Sequence, residues 1–501
     1  MTAFPGGRRG ALALLLLLVF AFALQGSRAL YAPDEGRYTD VALQMVESGD
    51  WLHPQLAPGV PHYTKPPLTY WAVAAALRLG GENTWAARAP NALAFVGAVL
   101  MVWRLGRRFV PEQPWQPALI YAAFAFPYLA ANLVTTDTLL AACETLAMLG
   151  FVEAWWADDA AHRQRWILLM ALGAGLAFLA KGPPGLLPLG AAALWAWRSE
   201  GRAGLARLAS WRALALFLGV ALFWYLAVAL DTPDLLRYFL VEEVWGRVAG
   251  SEMHRHEQWY GGFVVYLPTL LVGTLPWTPW LLRGLWRALR DRAGLRVRWQ
   301  TDAELRLLLC WLGLPLAVFF VARSRLPLYL LPLFVPLALL AARELGPLDL
   351  ARTRTRLALA LWAAVLLAAR AAPLFVDSEL DEARLARAVY AAAPAPPSEL
   401  AFVEVAPRYG LRLYGPAEVR RLNIPNGPPE TQSEALVDAL QRDERCRLYL
   451  VDPHDRAEIE AYFARLDRGF RLLGDVRGYR LYRLDDGGCG EPTHARAGSG
   501  H

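Results

Sequence analysis

The sequence predicts an α-helical polytopic membrane protein with a small α/β domain at its C-terminal end. Three observations point there. Of the 501 residues 56% are hydrophobic, with 20 Trp, 18 Tyr and 20 Phe, which is too apolar for a soluble globule of this length. Eleven apolar runs lie between residues 11 and 373, most of them close to the roughly 17 to 25 residues that cross a bilayer. From about residue 374 the pattern changes to short alternating stretches.

Basic residues orient the runs. The net charge is +6, but the cations cluster between apolar runs: Arg8 and Arg9; Arg104, Arg107 and Arg108; Arg163 and Arg165; four between 198 and 212; seven between 283 and 306; and Arg343, Arg352, Arg354 and Arg356. The positive-inside rule makes those loops cytoplasmic. Their scatter also argues against a nucleic-acid partner, which needs a continuous basic face. The intervening loops, 30–85, 134–138, 181–182, 231–259, 323–325 and everything after 373, then face out. The first run follows Arg8 and Arg9 and reads as a retained span rather than a cleaved signal, because the stretch after it carries site candidates.

The domains follow. Residues 1–373 form the transmembrane domain, with a structured first outer loop at 30–85. In that loop Tyr38, Val41, Ala42, Met45 and Val46 recur at the spacing of an amphipathic helix that should lie flat in the membrane interface. "PPLTYWAVAAALRLGG" reads as a second interfacial helix. Residues 374–485 form an outer α/β domain: "ELAFVEVA", "CRLYLVD" and "YRLYRL" pattern as strands, "SEALVDALQRD" and "RAEIEAYFARL" as helices. Residues 486–501 read as a disordered tail. Cys446 and Cys489 suit a disulfide if this domain faces an oxidising compartment.

Candidate chemistry gathers at the outer ends of the spans. Asp34 and Glu35 follow the first run and Asp137 in "LVTTDTLLA" begins the fourth; either aspartate would also serve as a helix cap. Arg323 and Arg325 break the positive-inside rule in a short outer loop, just before Tyr329, and cations at that depth suit a phosphate held at the membrane surface. Only two of the 51 basic residues are lysine, Lys65 and Lys181. Both lie outside, with proline following at once or one residue later, where a point charge is wanted or where a long side chain snorkels to the headgroups. Arg37, Tyr63, His256 and Glu257 are candidate sugar or acceptor contacts. "SEMHRHEQWYGG" can bind a divalent metal, but its spacing matches no strong signature. No cofactor is required, and no phosphate-binding glycine loop of the Walker or dinucleotide type occurs.

The ordered motifs "DEGRYTDVALQMVESGDWLHPQL", "YTKPPLTYWAVAAAL", "WAARAPNAL", "AKGPPG", "WYGGFVVYLPTLLVGTLPW" and "SRLPLYLLPLFVPLALL" resemble the bacterial aminoarabinose transferases of lipid A and their protein mannosyltransferase relatives. These are GT-C glycosyltransferases that use polyprenyl-phosphate sugars. The resemblance covers about residues 10–345. It implies an inverting enzyme of the bacterial inner membrane that moves a sugar from a polyprenyl phosphate to lipid A, another glycolipid or a protein on the periplasmic face. It places the family's essential first-loop acid on Asp34 with Glu35 beside it, its third-span acid on Asp137, its K-P-P lysine on Lys65 and its late basic-plus-tyrosine motif on Arg325 and Tyr329. Two departures stand out. Thr64 replaces the glutamate that in the family precedes that lysine and is associated with a metal, and "SRLP" replaces S-K-x-P.

A transporter or flippase of a lipid-linked sugar is the competing expectation. Transporters gather charge near the midplane, whereas this chain places it at one face, which favours an enzyme.

Overall fold

The computed structural model describes residues 7–232, 258–424, 434–435, 446–465 and 469–484. Long Ala- and Leu-rich segments become helices because lipid offers no partner for a backbone N–H or C=O. In chain order the helices are α1 (Arg8–Phe22), α2 (Asp34–Ser48), α3 (Leu68–Gly80), α4 (Thr84–Phe109), α5 (Gln116–Ala123), α6 (Ala125–Ala130), α7 (Thr136–Trp155), α8 (Ala160–Lys181), α9 (Leu187–Leu208) and α10 (Trp211–Asp231). After the next described residues come α11 (Gly261–Gly273), α12 (Thr278–Arg290), α13 (Arg292–Thr301), α14 (Ala303–Val321), α15 (Phe334–Leu345), α16 (Thr353–Ala371), α17 (Glu382–Ala392) and α18 (Arg456–Arg465).

Every one of the eleven apolar runs coincides with helix, but fewer of them can cross a membrane. Among the described residues seven helices are long and apolar enough, and α11 with α12, bent by 116°, makes an eighth if the pair is one span. The shortfall has local causes. The first run keeps only the 15 residues of α1. Phe124 is extended and splits the third run into α5 and α6. The C-terminal half of α9 carries Arg198, Glu200, Arg202 and Arg207 and kinks at Gly201.

The chain falls into two compact units. The first comprises Met1–Gln25, Thr64–Thr69 and Arg88–Ala372. Within it α7 and α8 pack antiparallel at a spacing set by glycine: a Cβ on Gly150 would stand 2.5 Å from Met170 N, and one on Gly173 2.5 Å from Ala147 N. At the ends of α1 and α6, buried Arg370 donates to Ala21 O (2.8 Å) and Ala23 O (3.0 Å), and its guanidinium lies 3.7 Å from the Tyr128 ring centroid.

The second unit comprises Gly26–Tyr63, Tyr70–Ala87 and Pro373–His501. A small hairpin pairs β1 (Gln55–Ala57) with β2 (Val60–Pro61), and the unit's sheet is built from β3 (Glu399–Val403), β4 (Glu418–Asn423), β5 (Glu434–Ala435), β6 (Arg447–Val451), β7 (Phe470–Val476) and β8 (Tyr479–Leu484). The sheet order is β5-β4-β3-β6-β8-β7, parallel from β5 to β6 and closed by an antiparallel hairpin. The strands expected at "ELAFVEVA", "CRLYLVD" and "YRLYRL" and the helix at "RAEIEAYFARL" are all present. The helix expected over 433–443 is not seen in the two residues described there: Glu434 and Ala435 pair with Leu422 and Asn423 as a strand edge. The tail 486–501 lies outside the described residues. Cys446 is disulfide-bonded, and its expected partner, Cys489, also lies outside them.

Helix α2 forms where the periodicity places it and stops at Gly49, whose φ of 74° suits glycine and whose N–H returns to Met45 O. It is buried around most of its circumference rather than along one stripe. Its polar side is engaged by Arg412, which pairs with Asp40 (3.4 Å), Glu418 (3.1 Å) and Glu47. Burial holds the Asp40 carboxyl well above the usual carboxylate range, with Arg412 opposing that shift.

Candidate active site

In the first unit the antiparallel pair α7 and α8 brings one helix start and one helix end together. Asp137 lies in the first turn of α7, where the helix dipole favours an anion, and Lys181 closes α8, where it favours a cation. The two form an ion pair with 8% and 11% of their side chains exposed. Neither expected alternative holds. Thr135, not Asp137, occupies the cap position of α7, and Lys181 turns to the aspartate instead of snorkelling to headgroups, because a buried carboxylate is the stronger partner. Gly182 makes this turn possible: its φ of 74° reverses the chain after Lys181, and a Cβ on Gly185 would stand 2.6 Å from Ala177 O.

Tyr329 completes the group. It lies in the 3-10 segment Pro327–Leu333, and Lys181 Nζ stands 4.4 Å from its ring centroid. The two arginines of the preceding loop separate. Arg325 is buried and donates to Gln258 O (2.8 Å) and Phe320 O (3.0 Å), whereas Arg323 is exposed. Lys65 is half-buried and donates to Thr64 O at 3.0 Å. Glu144, two turns along α7 from Asp137, is also buried and interacts electrostatically with Asp137 and Lys181.

In the second unit the paired acids divide. Glu35 is buried, accepts from Arg28 at 2.6 Å and from Tyr31 N–H at 3.0 Å. Asp34 keeps 43% of its side chain exposed and accepts from Arg37 at 2.6 Å. The cap residue of α2 is Pro33, so Asp34 does not cap the helix; it stands in its first turn. Tyr63 is half-buried at the end of the same loop. His256 and Glu257 lie outside the described residues.

Among the described residues no group of three or more His, Cys, Asp or Glu is placed to hold a metal.

Sequence reasoning missed Arg28, Glu144 and Glu382. Arg28 was legible, since it is a cation on the outer side like Arg323 and Arg325. Glu144 carried the signal of an acid inside an apolar run. Glu382 carried none.

A bundle of helices of this length and polarity, with a small mixed sheet after the last of them, defines a polytopic membrane protein of the GT-C fold. The fold is that of ArnT from Cupriavidus metallidurans bound to undecaprenyl phosphate: TM-score 0.74 at 18% identity, over 94% of this chain and 97% of that one. Residues 64–228 match the dolichyl-phosphate-mannose-protein mannosyltransferase family. The chain is similar to the undecaprenyl phosphate-alpha-4-amino-4-deoxy-L-arabinose arabinosyl transferases of Edwardsiella ictaluri, at 32% identity over 66% of this chain and 58% of that one, and of Pseudomonas aeruginosa, at 33% over 68% and 60%. It spans about three-fifths of the length of these curated relatives. The resemblance carried by the sequence motifs therefore extends to the fold.

Proposed function

We propose that this chain is an inverting glycosyltransferase of the bacterial inner membrane, moving a sugar from a polyprenyl-phosphate carrier to an envelope acceptor on the periplasmic face. The observation that carries the reading is the Lys181, Asp137 and Tyr329 group in the same unit as buried Arg325: cations kept at the side of the bundle where charge placement expects none. The names of the relatives supply the first donor to test, undecaprenyl-phosphate-linked 4-amino-4-deoxy-L-arabinose. The motif resemblance supplies the first acceptor, lipid A, with other glycolipids and protein hydroxyls after it.

In the reaction the acceptor oxygen attacks the anomeric carbon as the bond from that carbon to the phosphate oxygen breaks. The sugar passes through an oxocarbenium-like state and the carrier leaves as polyprenyl phosphate. Lys65, Lys181 and Arg325, with Arg323 at the rim, stabilise the negative charge that collects on the departing phosphate. Asp137 and Tyr329 hold the Lys181 ammonium in place. Asp34, the more exposed acid, takes the proton if the acceptor is a hydroxyl and orients the acceptor if it is an ionised phosphate. Glu35, tied to Arg28, sets the turn that carries Asp34; Arg37 and Tyr63 contact sugar or acceptor. In this reading residues 1–373, with the first outer loop 30–85, do the chemistry, 374–485 form a periplasmic domain and 486–501 a tail.

Mass spectrometry of lipid A and envelope glycans from cells with and without the gene tests the reading. A sugar-sized mass difference names sugar and acceptor together. Identical envelopes would sink it and leave a lipid-linked-sugar flippase as the alternative.

A further inference from the structure

The first turn of α2 is held by a distant part of its own unit. Ala32 N–H donates to Leu380 O (3.1 Å), Glu382 N–H donates to Leu30 O (3.2 Å), and Tyr31 pairs with Asp381 in an antiparallel bridge. Beside that short ladder stands Glu382, the first residue of α17, with none of its surface exposed.

Its carboxyl lies against two glycines. A Cβ on Gly36 would stand 2.7 and 2.8 Å from the two carboxyl oxygens and 2.5 Å from Gly410 N. Position 36, one residue after Glu35, therefore has room only for hydrogen. The Gly410 amide and Arg408 Nε, 3.8 Å away, face the carboxyl, yet neither oxygen closes a full hydrogen bond among the described residues. Other charges close by are Glu35 and Asp40 from α2 and Asp381 beside it, and Tyr479 approaches from β8. An ionised carboxylate there would be dry, incompletely bonded and surrounded by acids, which is costly. A neutral acid avoids most of that cost.

We propose that Glu382 is a positioning residue for the Asp34–Glu35 turn, acting as a neutral carboxylic acid wedged between Gly36 and Gly410, so that its ionisation displaces the turn and lowers turnover. The proposal rests on the transferase reading for its functional half. Burial pushes the Glu382 carboxyl up to about 8, with Arg408 opposing and Glu35 adding to the shift. Because this value lies above the ordinary 4.5, the neutral acid contributes stability that is whole below pH 4.5 and is lost as the pH rises to 8. The wedge itself stays neutral until that upper value and ionises beyond it.

The test uses the full chain in detergent micelles, with undecaprenyl-phosphate-linked 4-amino-4-deoxy-L-arabinose as donor and lipid A as acceptor. Wild-type kcat falls about tenfold per pH unit above the Glu382 value, with KM for the donor little changed. E382Q keeps the shape, cannot ionise, retains turnover at neutral pH and lacks that alkaline limb; E382A has lowered kcat throughout. An E382Q profile that falls alongside wild type overturns the proposal. Infrared spectra of the same proteins read the proton without turnover. Wild type at neutral pH carries protonated-carboxyl absorption beyond that of E382Q, which keeps the Asp40 share, and the excess fades above the Glu382 value; identical spectra overturn the proposal as well. A wild type that transfers no sugar yet carries the excess supports the neutral acid and sinks transfer from this donor to this acceptor instead.

Discussion

Arg28 and Glu35 form an ion pair of 2.6 Å with 7% and 4% of their side chains exposed, while Asp34, the residue just before Glu35, keeps 43%. One turn thus spends one acid on structure and leaves the other for solvent. A buried pair loses several kcal/mol when one partner is removed, since the remaining charge is stranded, whereas an exposed pair loses little. Asp34 is therefore the residue whose loss can silence chemistry without unfolding the turn.

Asp34→Asn should lower sugar transfer by at least about a hundredfold, the range of a lost general base, while the protein keeps its yield and melting temperature in detergent. Wild-type turnover in this variant would remove Asp34 from the reaction. Glu35→Gln should instead lower the melting temperature.

The Lys181 and Asp137 pair should behave as a unit. Lys181→Met and Asp137→Asn each strand a mostly buried partner and should cost about 3 kcal/mol of stability, and each should reduce transfer. The double variant should recover part of that stability, with a coupling of about 1 to 3 kcal/mol in a double-mutant cycle. Additive losses would mean the two side chains do not share a bond.

Arg325 and Arg323 should differ sharply despite standing two residues apart. Arg325→Ala should weaken donor use by about a hundredfold, as loss of a buried donor to developing charge does, whereas Arg323→Ala, at an exposed position, should cost about tenfold or less. Steady-state rates at varied donor concentration check this; equal losses would show that burial does not sort the two.

Arg412→Ala should destabilise the second unit by about 3 to 5 kcal/mol, because Asp40, Glu47 and Glu418 lose a shared cation. Thermal melting and proteolysis of the C-terminal part would register it. Since the freed Asp40 is fully buried and its carboxyl already lies well above the usual range, lowering the pH should restore part of the loss. A pH-independent deficit would place the cost elsewhere.

Local information went a long way here. Hydrophobic period and length placed helix under every apolar run of the membrane part, marked the amphipathic run of α2, and found three of the six strands after residue 398. Charge placement alone marked Lys181, Asp137 and Arg325 as unusual, because the penalty for a charge beside lipid is severe enough to be read without a structure. What only the tertiary structure decided is which of these groups meet. The approach of α7 and α8 through Gly150 and Gly173 turned Lys181 from a snorkelling candidate into the partner of Asp137. Long-range contacts also set Arg325 apart from Arg323 and placed Glu382 against Gly36. Pairings between residues tens to hundreds of positions apart depend on where helices pack, and packing leaves no periodic trace in the chain.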